Sequence, residues 1–437
     1  MMRAIRRNTE LGLILLGIVI TGGLYALASL GRTASLPADI GPFLGIVLVL
    51  LGVAHLATRR LAPNADGVLL PVAALLNGIG YVFIARLNED LAALQATWTA
   101  VGIVAFVATL VVVRRARDLE RYRWSFALLG IVLLLLPLVP GVGRIINGAR
   151  IWVSLGPLNF QPGEFAKIAL AVFFASYLVE RREMLGMLTF RLGPIKLPEL
   201  RLLGPVLLAW GISLVVMTAE RDLGSSLLFF ALFVVLLWVA TERATYLAVS
   251  LLLFAAGSYV AWTAFSHVQD RVDIWLDPWA DRAGDGYQIV QAIYALAWGG
   301  VAGTGIGLGT PDVIPVNETD FIFAVIGEEL GLLGATIVLV AFMVMVGSGL
   351  RVAARTEHPF EKLLAVGLTT LLGLQAFLII AGVIRLLPLT GVTLPFVSYG
   401  GSSLVANYVL LALLLRISDG STVKPADRLP DDQVVAA

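Results

Sequence analysis

Runs of about twenty consecutive, mostly apolar residues recur along this chain, and each is long enough to cross the roughly 30 Å hydrocarbon core of a bilayer as a helix. They fall near 11–30, 40–57, 67–86, 95–113, 124–143, 163–180, 202–219, 223–240, 244–266, 320–349, 361–384 and 396–416, which predicts twelve spans. Within lipid, backbone N–H and C=O groups must be satisfied inside the segment, so helices are the expected element. A composition of 59% hydrophobic and 14% charged residues over 437 positions excludes an ordinary soluble domain. The fold class is therefore an all-α polytopic membrane protein. The first run reads as a retained helix, since 11–30 is longer than a signal-peptide core and no small-residue cleavage site follows it.

Charge sets the orientation. With the N-terminus in the cytoplasm, cytoplasmic segments hold 22 Lys and Arg against 8 outside, and Lys167 lies within a span. The positive-inside rule then favours both termini in the cytoplasm. A net charge of +1 leaves no basic footprint for nucleic acid. The chain has no cysteine, and its three histidines, His55, His267 and His358, are too dispersed to suggest a metal centre.

This orientation places two long segments outside, 141–162 and 267–319, and long ordered loops tend to carry function. The second includes Tyr287 and Gln288, at the start of a run with apolar positions at helical spacing, suited either to a cover helix or to a substrate-lining one. At its end comes Asp320, where a carboxylate borders an apolar helix. Ionisable groups at such depth cost about 2.5–3.5 kcal/mol on insertion scales, so Asp320 and the Glu328-Glu329 pair need a compensating role. The glutamates, eight and nine residues further on, lie roughly 12–13 Å deeper at the helical rise. That distance separates them from chemistry at Asp320 and points to pairing with buried polar groups.

Four other places concentrate polar residues. Glu164 and Lys167 follow Pro162 at i,i+3 spacing, as a structural ion pair or a phosphate site. Arg150 offers a guanidinium fork suited to a diphosphate, and Trp152 an aromatic face. Asp222 stands where it can cap a helix. Ser398 and Ser402 lie in a stretch of Pro, paired Gly and hydroxyls at the mouth of the last span, where small residues permit close backbone approach. The glycine run 303–309 lacks the spacing of a dinucleotide loop and is set aside.

In order along the chain, these blocks resemble the SEDS proteins (shape, elongation, division and sporulation), the FtsW/RodA/SpoVE family. They are Gly148-Ala149-x-x-Trp152, Gln161-Pro162-x-Glu164-x-x-Lys167, Asp222-Leu223-Gly224, Gly286-Tyr287-Gln288 with Thr319-Asp320-Phe321-Ile322-Phe323-Ala324, and Leu394-Pro395-x-x-Ser398-Tyr399-Gly400-Gly401-Ser402-Ser403. The resemblance covers about residues 67–418. It departs from the family pattern at Glu220-Arg221, at Gly163, and at Leu94 before Gln95-x-x-Trp98.

The resemblance implies a ten-helix glycosyltransferase core over 61–418, preceded by an extra helix pair within 1–60 and followed by a cytoplasmic tail, 419–437. It implies a bacterial plasma-membrane enzyme that polymerises lipid II outside the cell, releases undecaprenyl diphosphate and works with a class B penicillin-binding transpeptidase. Asp320 is carried across as the catalytic residue. Arg150, Trp152, Glu164, Lys167, Asp222, Tyr287, Gln288, Ser398 and Ser402 follow as substrate-binding or supporting residues. A divalent cation, Mg or Mn, on the diphosphate fits this chemistry, although no ligand cluster compels it. The short tail and the added helix pair favour the elongation branch over division. The competing readings are a lipid II flippase and a scaffold for cell-wall enzymes.

Overall fold

The computed structural model describes residues 2–421 except 38–39, 147, 156–157, 187–189, 193–194, most of 198–218, and 221. Thirteen α-helices with defined bounds follow one another among the described residues: α1 (Met2–Thr33), α2 (Ile40–Leu61), α3 (Leu69–Leu87), α4 (Glu89–Val112), α5 (Arg123–Leu135), α6 (Pro162–Gly186), α7 (Leu223–Thr241), α8 (Ala244–Ala264), α9 (Ser266–Leu276), α10 (Tyr287–Gly299), α11 (Ile322–Arg355), α12 (Pro359–Val383) and α13 (Gly401–Ser421). Eleven helices among the described residues are long and apolar enough to cross a membrane. The span expected at 202–219 falls mostly outside the described residues, as does the tail beyond 421.

Burial sorts the spans into an inner and an outer set. α3, α12 and α13 bury most of their length, whereas α1, α2 and α8 leave most of theirs exposed. Apolar side chains on that outer surface, such as Leu16, Val19 and Leu252, contact lipid rather than water. The inner helices form one continuous core, built from residues such as Leu76, Phe106, Phe233, Leu364 and Tyr408.

Helix ends follow local chemistry. Asn88 caps α4 by accepting from the N–H groups of Asp90 and Leu91 at 3.0 and 3.2 Å. The fifth span stops short of the expected 143, because Pro137 cannot continue a ladder and the chain turns through Gly141 at φ 81°. It then enters a three-stranded antiparallel sheet, β1 (Gly143–Ile146), β2 (Ala149–Leu155) and β3 (Leu158–Phe160), with Arg144 opposite Trp152 and Val153 opposite Phe160. A second hairpin pairs β4 (Phe190–Leu192) with β5 (Ile195–Leu197). Neither hairpin was expected from the sequence.

The last span begins at Gly401, five residues later than expected, because 396–400 is a turn held by bonds from the N–H groups of Val397 and Ser398 to Leu394 O at 3.1 and 3.0 Å. α11 begins at Ile322 and breaks at Gly331, whose φ of 67° and ψ of −166° leave the helical region. Gly331 thus divides α11 into a nine-residue segment and a 24-residue helix of about 36 Å, which suffices to cross the core alone. Glu328 and Glu329 therefore sit at the mouth of the span. Both side chains are buried, and the break lies beyond them, on the side away from Asp320.

Two polar clusters close the two ends of the bundle. At the end remote from Asp320, the Arg416 guanidinium donates to the carbonyls of Leu61 and Leu110, and Asp419 accepts from the Asn64 N–H at 2.7 Å. At the same end, Glu10 meets both Arg7 and His55, and Arg7 also donates to the Ala65 carbonyl. The opposite end gathers the start of α6, α7, α11 and α13 and the end of α3 and α12 around Asp320.

Candidate functional site

Asp320 lies two residues before α11, half-buried, with Phe321 behind it fully buried. The segment is fixed by its backbone rather than by its side chains. Tyr399 N–H donates to Glu318 O at 2.8 Å, and the Ser398 hydroxyl donates to Thr319 O at 2.6 Å. The same hydroxyl accepts from Leu394 N–H at 2.9 Å. The loop before α13 is thereby latched to the residues preceding Asp320. Phe396 takes a left-handed φ of 64° within it, a strain of the kind that persists where surrounding bonds over-determine the backbone.

Electrostatics distinguish Asp320. Burial raises its pKa from the ordinary 3.8 to about 6, while the Arg271 guanidinium and the Thr319 hydroxyl oppose that rise and the charges of Asp222 and Glu318 assist it. A carboxyl so poised is still a carboxylate at neutral pH and is basic enough to take a proton. Asp222 owes its position to capping: it accepts from Ser225 N–H at 3.0 Å and from the Ser225 hydroxyl at 2.6 Å, at the start of α7.

Glu164 and Lys167 form a buried ion pair, 2.8 Å apart, on the first turns of α6. Lys167 Nζ also donates to Gln375 Oε1 at 3.1 Å, and Gln375 Nε2 donates to Thr393 O at 2.9 Å. Thr393 continues to Ser403 at 2.8 Å, and Ser402 accepts from Gln161 N–H at 2.9 Å. One polar chain thus runs from Lys167 through Gln375 to the Thr393–Leu394 peptide, and from there through Ser398 to Thr319. Gln375 and Arg271 had not been singled out from sequence. A lone amide in the middle of the apolar run 359–383 was the available signal for Gln375, since such a group must be bonded within the bundle. Nothing distinguished Arg271 from other external basic residues.

A cavity of about 260 Å³ opens between α7, α8, α9 and α12, and Arg271, whose charge acts on Asp320, is one of its lining residues. Leu227, Phe230, Phe254, Trp262 and Leu378 make its walls apolar, and Arg271 lines it too, donating to Leu389 O at 2.6 Å. Phe254 and Trp262 are partly exposed on the outer face of the bundle, so the cavity borders the membrane surface of the protein.

The remaining candidates lie on other elements. Arg150 and Trp152 are half-buried on β2, and Arg150 Nε is buried without a partner among the described residues. Tyr287 and Gln288 open α10 with half-buried side chains. Among the described residues, no group of three or more His, Asp or Glu is placed to hold a metal ion.

Glu329 pairs with Arg86 at the end of α3, Nε to Oε1 3.1 Å, and accepts from Gly307 N–H at 2.9 Å. Glu328 accepts from Thr310 N–H at 2.8 Å. Both glutamates therefore bind backbone at the mouth, Glu329 binds a cation as well, and the glycine run 303–309 supplies part of that backbone.

The family description "Cell cycle protein", FtsW/RodA/SpoVE, matches residues 72–422. The chain is 45% identical over 427 residues to the peptidoglycan glycosyltransferase RodA of Mycobacterium tuberculosis, covering 95% of this chain and 91% of that one. It is 33% identical over 329 residues to the stage V sporulation protein E of Bacillus subtilis, covering 74% and 86%. Among solved structures it is similar to a chain of a peptidoglycan synthase complex described for the coordination of polymerization and crosslinking, at a TM-score of 0.68 and 27% identity over 82% of this chain and 99% of that one. It is also similar to crystalline RodA of Thermus thermophilus, at a TM-score of 0.58 and 25% identity over 82% and 98%. A multi-pass helical chain with these blocks in this order, matched over most of its length, belongs to the FtsW/RodA/SpoVE family.

Proposed function

We propose that this chain polymerises lipid II into peptidoglycan glycan strands at the outer face of the bacterial plasma membrane, in the elongation branch of the family, beside a class B penicillin-binding transpeptidase. The observation that carries the reading is Asp320, a carboxyl at the bundle mouth that feels the charge of Arg271, a residue lining an apolar cavity. The glycosyltransferase names of its relatives and the synthase complex among its structural neighbours support it. The outward face is supported by the concentration of Lys and Arg on the opposite side.

In this reaction Asp320 accepts the proton of the 4-hydroxyl on the acceptor's N-acetylglucosamine. The oxygen attacks the anomeric carbon of the donor's muramyl sugar, the carbon–oxygen bond to the diphosphate breaks, and undecaprenyl diphosphate leaves. General-base assistance of this kind contributes about 10²–10⁴-fold. The leaving diphosphate is bonded to the reacting carbon, so a cation beside the base serves the donor. Arg271 meets that requirement, and the adjoining apolar cavity suits the first isoprene units of the donor's lipid. Lys167, with one of its three donors left over among the described residues, and Arg150 are the candidate phosphate contacts from the α6 side. Ser398 and Ser402 hold backbone in place, and Asp222 holds α7 and adds negative charge near the base.

Purified protein, reconstituted with its transpeptidase and given lipid II, should yield glycan strands resolvable by length. Movement of a fluorescent lipid II across vesicles without polymer would favour the flippase reading. Polymer made only by the partner would favour a scaffold.

A further inference from the structure

On either side of the break at Gly331, four backbone groups of α11 bond to a loop outside the helix. Glu328 O and Glu329 O accept from the N–H groups of Thr304 and Gly305 at 2.9 and 3.1 Å, while Leu332 and Leu333 donate to Gly300 O and Val301 O at 2.9 and 3.2 Å. The next turn of this loop binds the two glutamate side chains through the N–H groups of Gly307 and Thr310, and Arg86 secures it by donating to Gly309 O at 3.0 Å. The segment from Asp320 to Leu330 is therefore a short lever, hinged at Gly331 and held by the 300–310 loop.

That loop leans on α1, which lies outside the residues 72–422 shared with the family. A Cβ on Gly31 would stand 2.3 Å from Ile306 O, and a Cβ on Gly307, whose φ is +78°, would stand 2.5 Å from Ala28 O. The contact is backbone against backbone and leaves no room for a side chain on either element.

We propose that α1 is a strut for the active site: its end at Ala28–Arg32 presses the 300–310 loop into the Gly331 break and thereby sets the position of Asp320. The proposal rests on the reading of Asp320 as the base. Eleven residues from the hinge, at about 1.5 Å each, give a lever of roughly 16 Å, so a tilt of about 4° moves Asp320 by about 1 Å. A misplacement of that size can cost about 10²-fold in rate. Gly31 is then a positioning residue rather than a catalytic one.

The test compares Gly31→Ala with Gly23→Ala, a glycine of the same helix where an added Cβ would meet nothing within 4 Å. Both are assayed for lipid II polymerisation with the transpeptidase present, and both for amide hydrogen exchange. Gly31→Ala should lower kcat at least about 10-fold, with KM for lipid II changed less than about 2-fold. It should also speed exchange at Thr304, Gly305, Gly307 and Thr310 while the rest of the bundle keeps its protection. Gly23→Ala should match the wild type in every reading. Gly307→Ala meets the same contact from the loop side and serves if Gly31→Ala does not accumulate. Faster exchange at the loop with kcat unchanged overturns the proposal, and so does a lower kcat with the loop's protection intact. A wild-type protein that makes no glycan instead overturns the functional reading beneath it, a distinguishable failure.

Discussion

The Ser398 hydroxyl donates to the Thr319 carbonyl at 2.6 Å, one residue before Asp320, while accepting from Leu394 N–H at 2.9 Å. One side chain thus ties the mouth of α13 to the residue that carries the proposed chemistry. Ser398→Ala leaves a buried donor and acceptor unmet, at a cost of about 1–3 kcal/mol. Thermal unfolding should report that loss. Turnover should fall about 10-fold or more, because the peptide adjoining Asp320 is freed.

The pH dependence follows from the same carboxyl. Burial lifts the Asp320 pKa to about 6, so kcat/KM should rise with pH through that value and level off above it, as the base loses its proton. Arg271 opposes the rise by favouring the charged form. Arg271→Gln should therefore move the acid limb to higher pH and also weaken inhibition by undecaprenyl diphosphate. A rate profile measured a unit or two either side of 6 checks both effects.

Stability should move against activity at this position. The folded pKa of Asp320 lies above the ordinary 3.8, so the folded state disfavours its charge: the penalty is absent below 3.8, grows towards 6 and is complete above it. Asp320→Asn removes the charge. Its melting temperature at neutral pH should equal or exceed that of the wild type, and the difference should shrink as pH falls through 6.

Breaking the Glu164–Lys167 pair should be more harmful than removing it. Lys167→Met leaves a buried carboxylate unpaired, which costs about 3–5 kcal/mol. The double variant Glu164→Gln, Lys167→Met should recover much of that stability. If Lys167 also contacts substrate phosphate, turnover in the double variant stays low, and the comparison of melting curves with polymerisation rates separates the two roles.

Much of the architecture was legible because span length and charge bias are properties of single segments. The i,i+3 pair of Glu164 and Lys167 was legible for the same reason. Asp222, by contrast, was open between a cap and a site, and its bonds to Ser225 supply the cap. Partners distant in sequence were hidden: Arg86 and Glu329 are 243 residues apart, and Lys167 and Gln375 are 208 apart. The break at Gly331 was hidden as well, since an apolar run continuous across a glycine reads as one helix until the loop that fills the gap is known. The sheet of 143–160 follows from turns at Gly141 and Gly148, whose positive φ carries no distinct hydrophobic period.

The central claim is that Asp320 is the base. Its most direct test is the rate of lipid II polymerisation by purified Asp320→Asn with the cognate transpeptidase, alongside a melting curve that establishes the fold. The account predicts glycan synthesis reduced by at least about 10²-fold in a protein that melts no lower than the wild type. Polymerisation at the wild-type rate by that folded variant would contradict it.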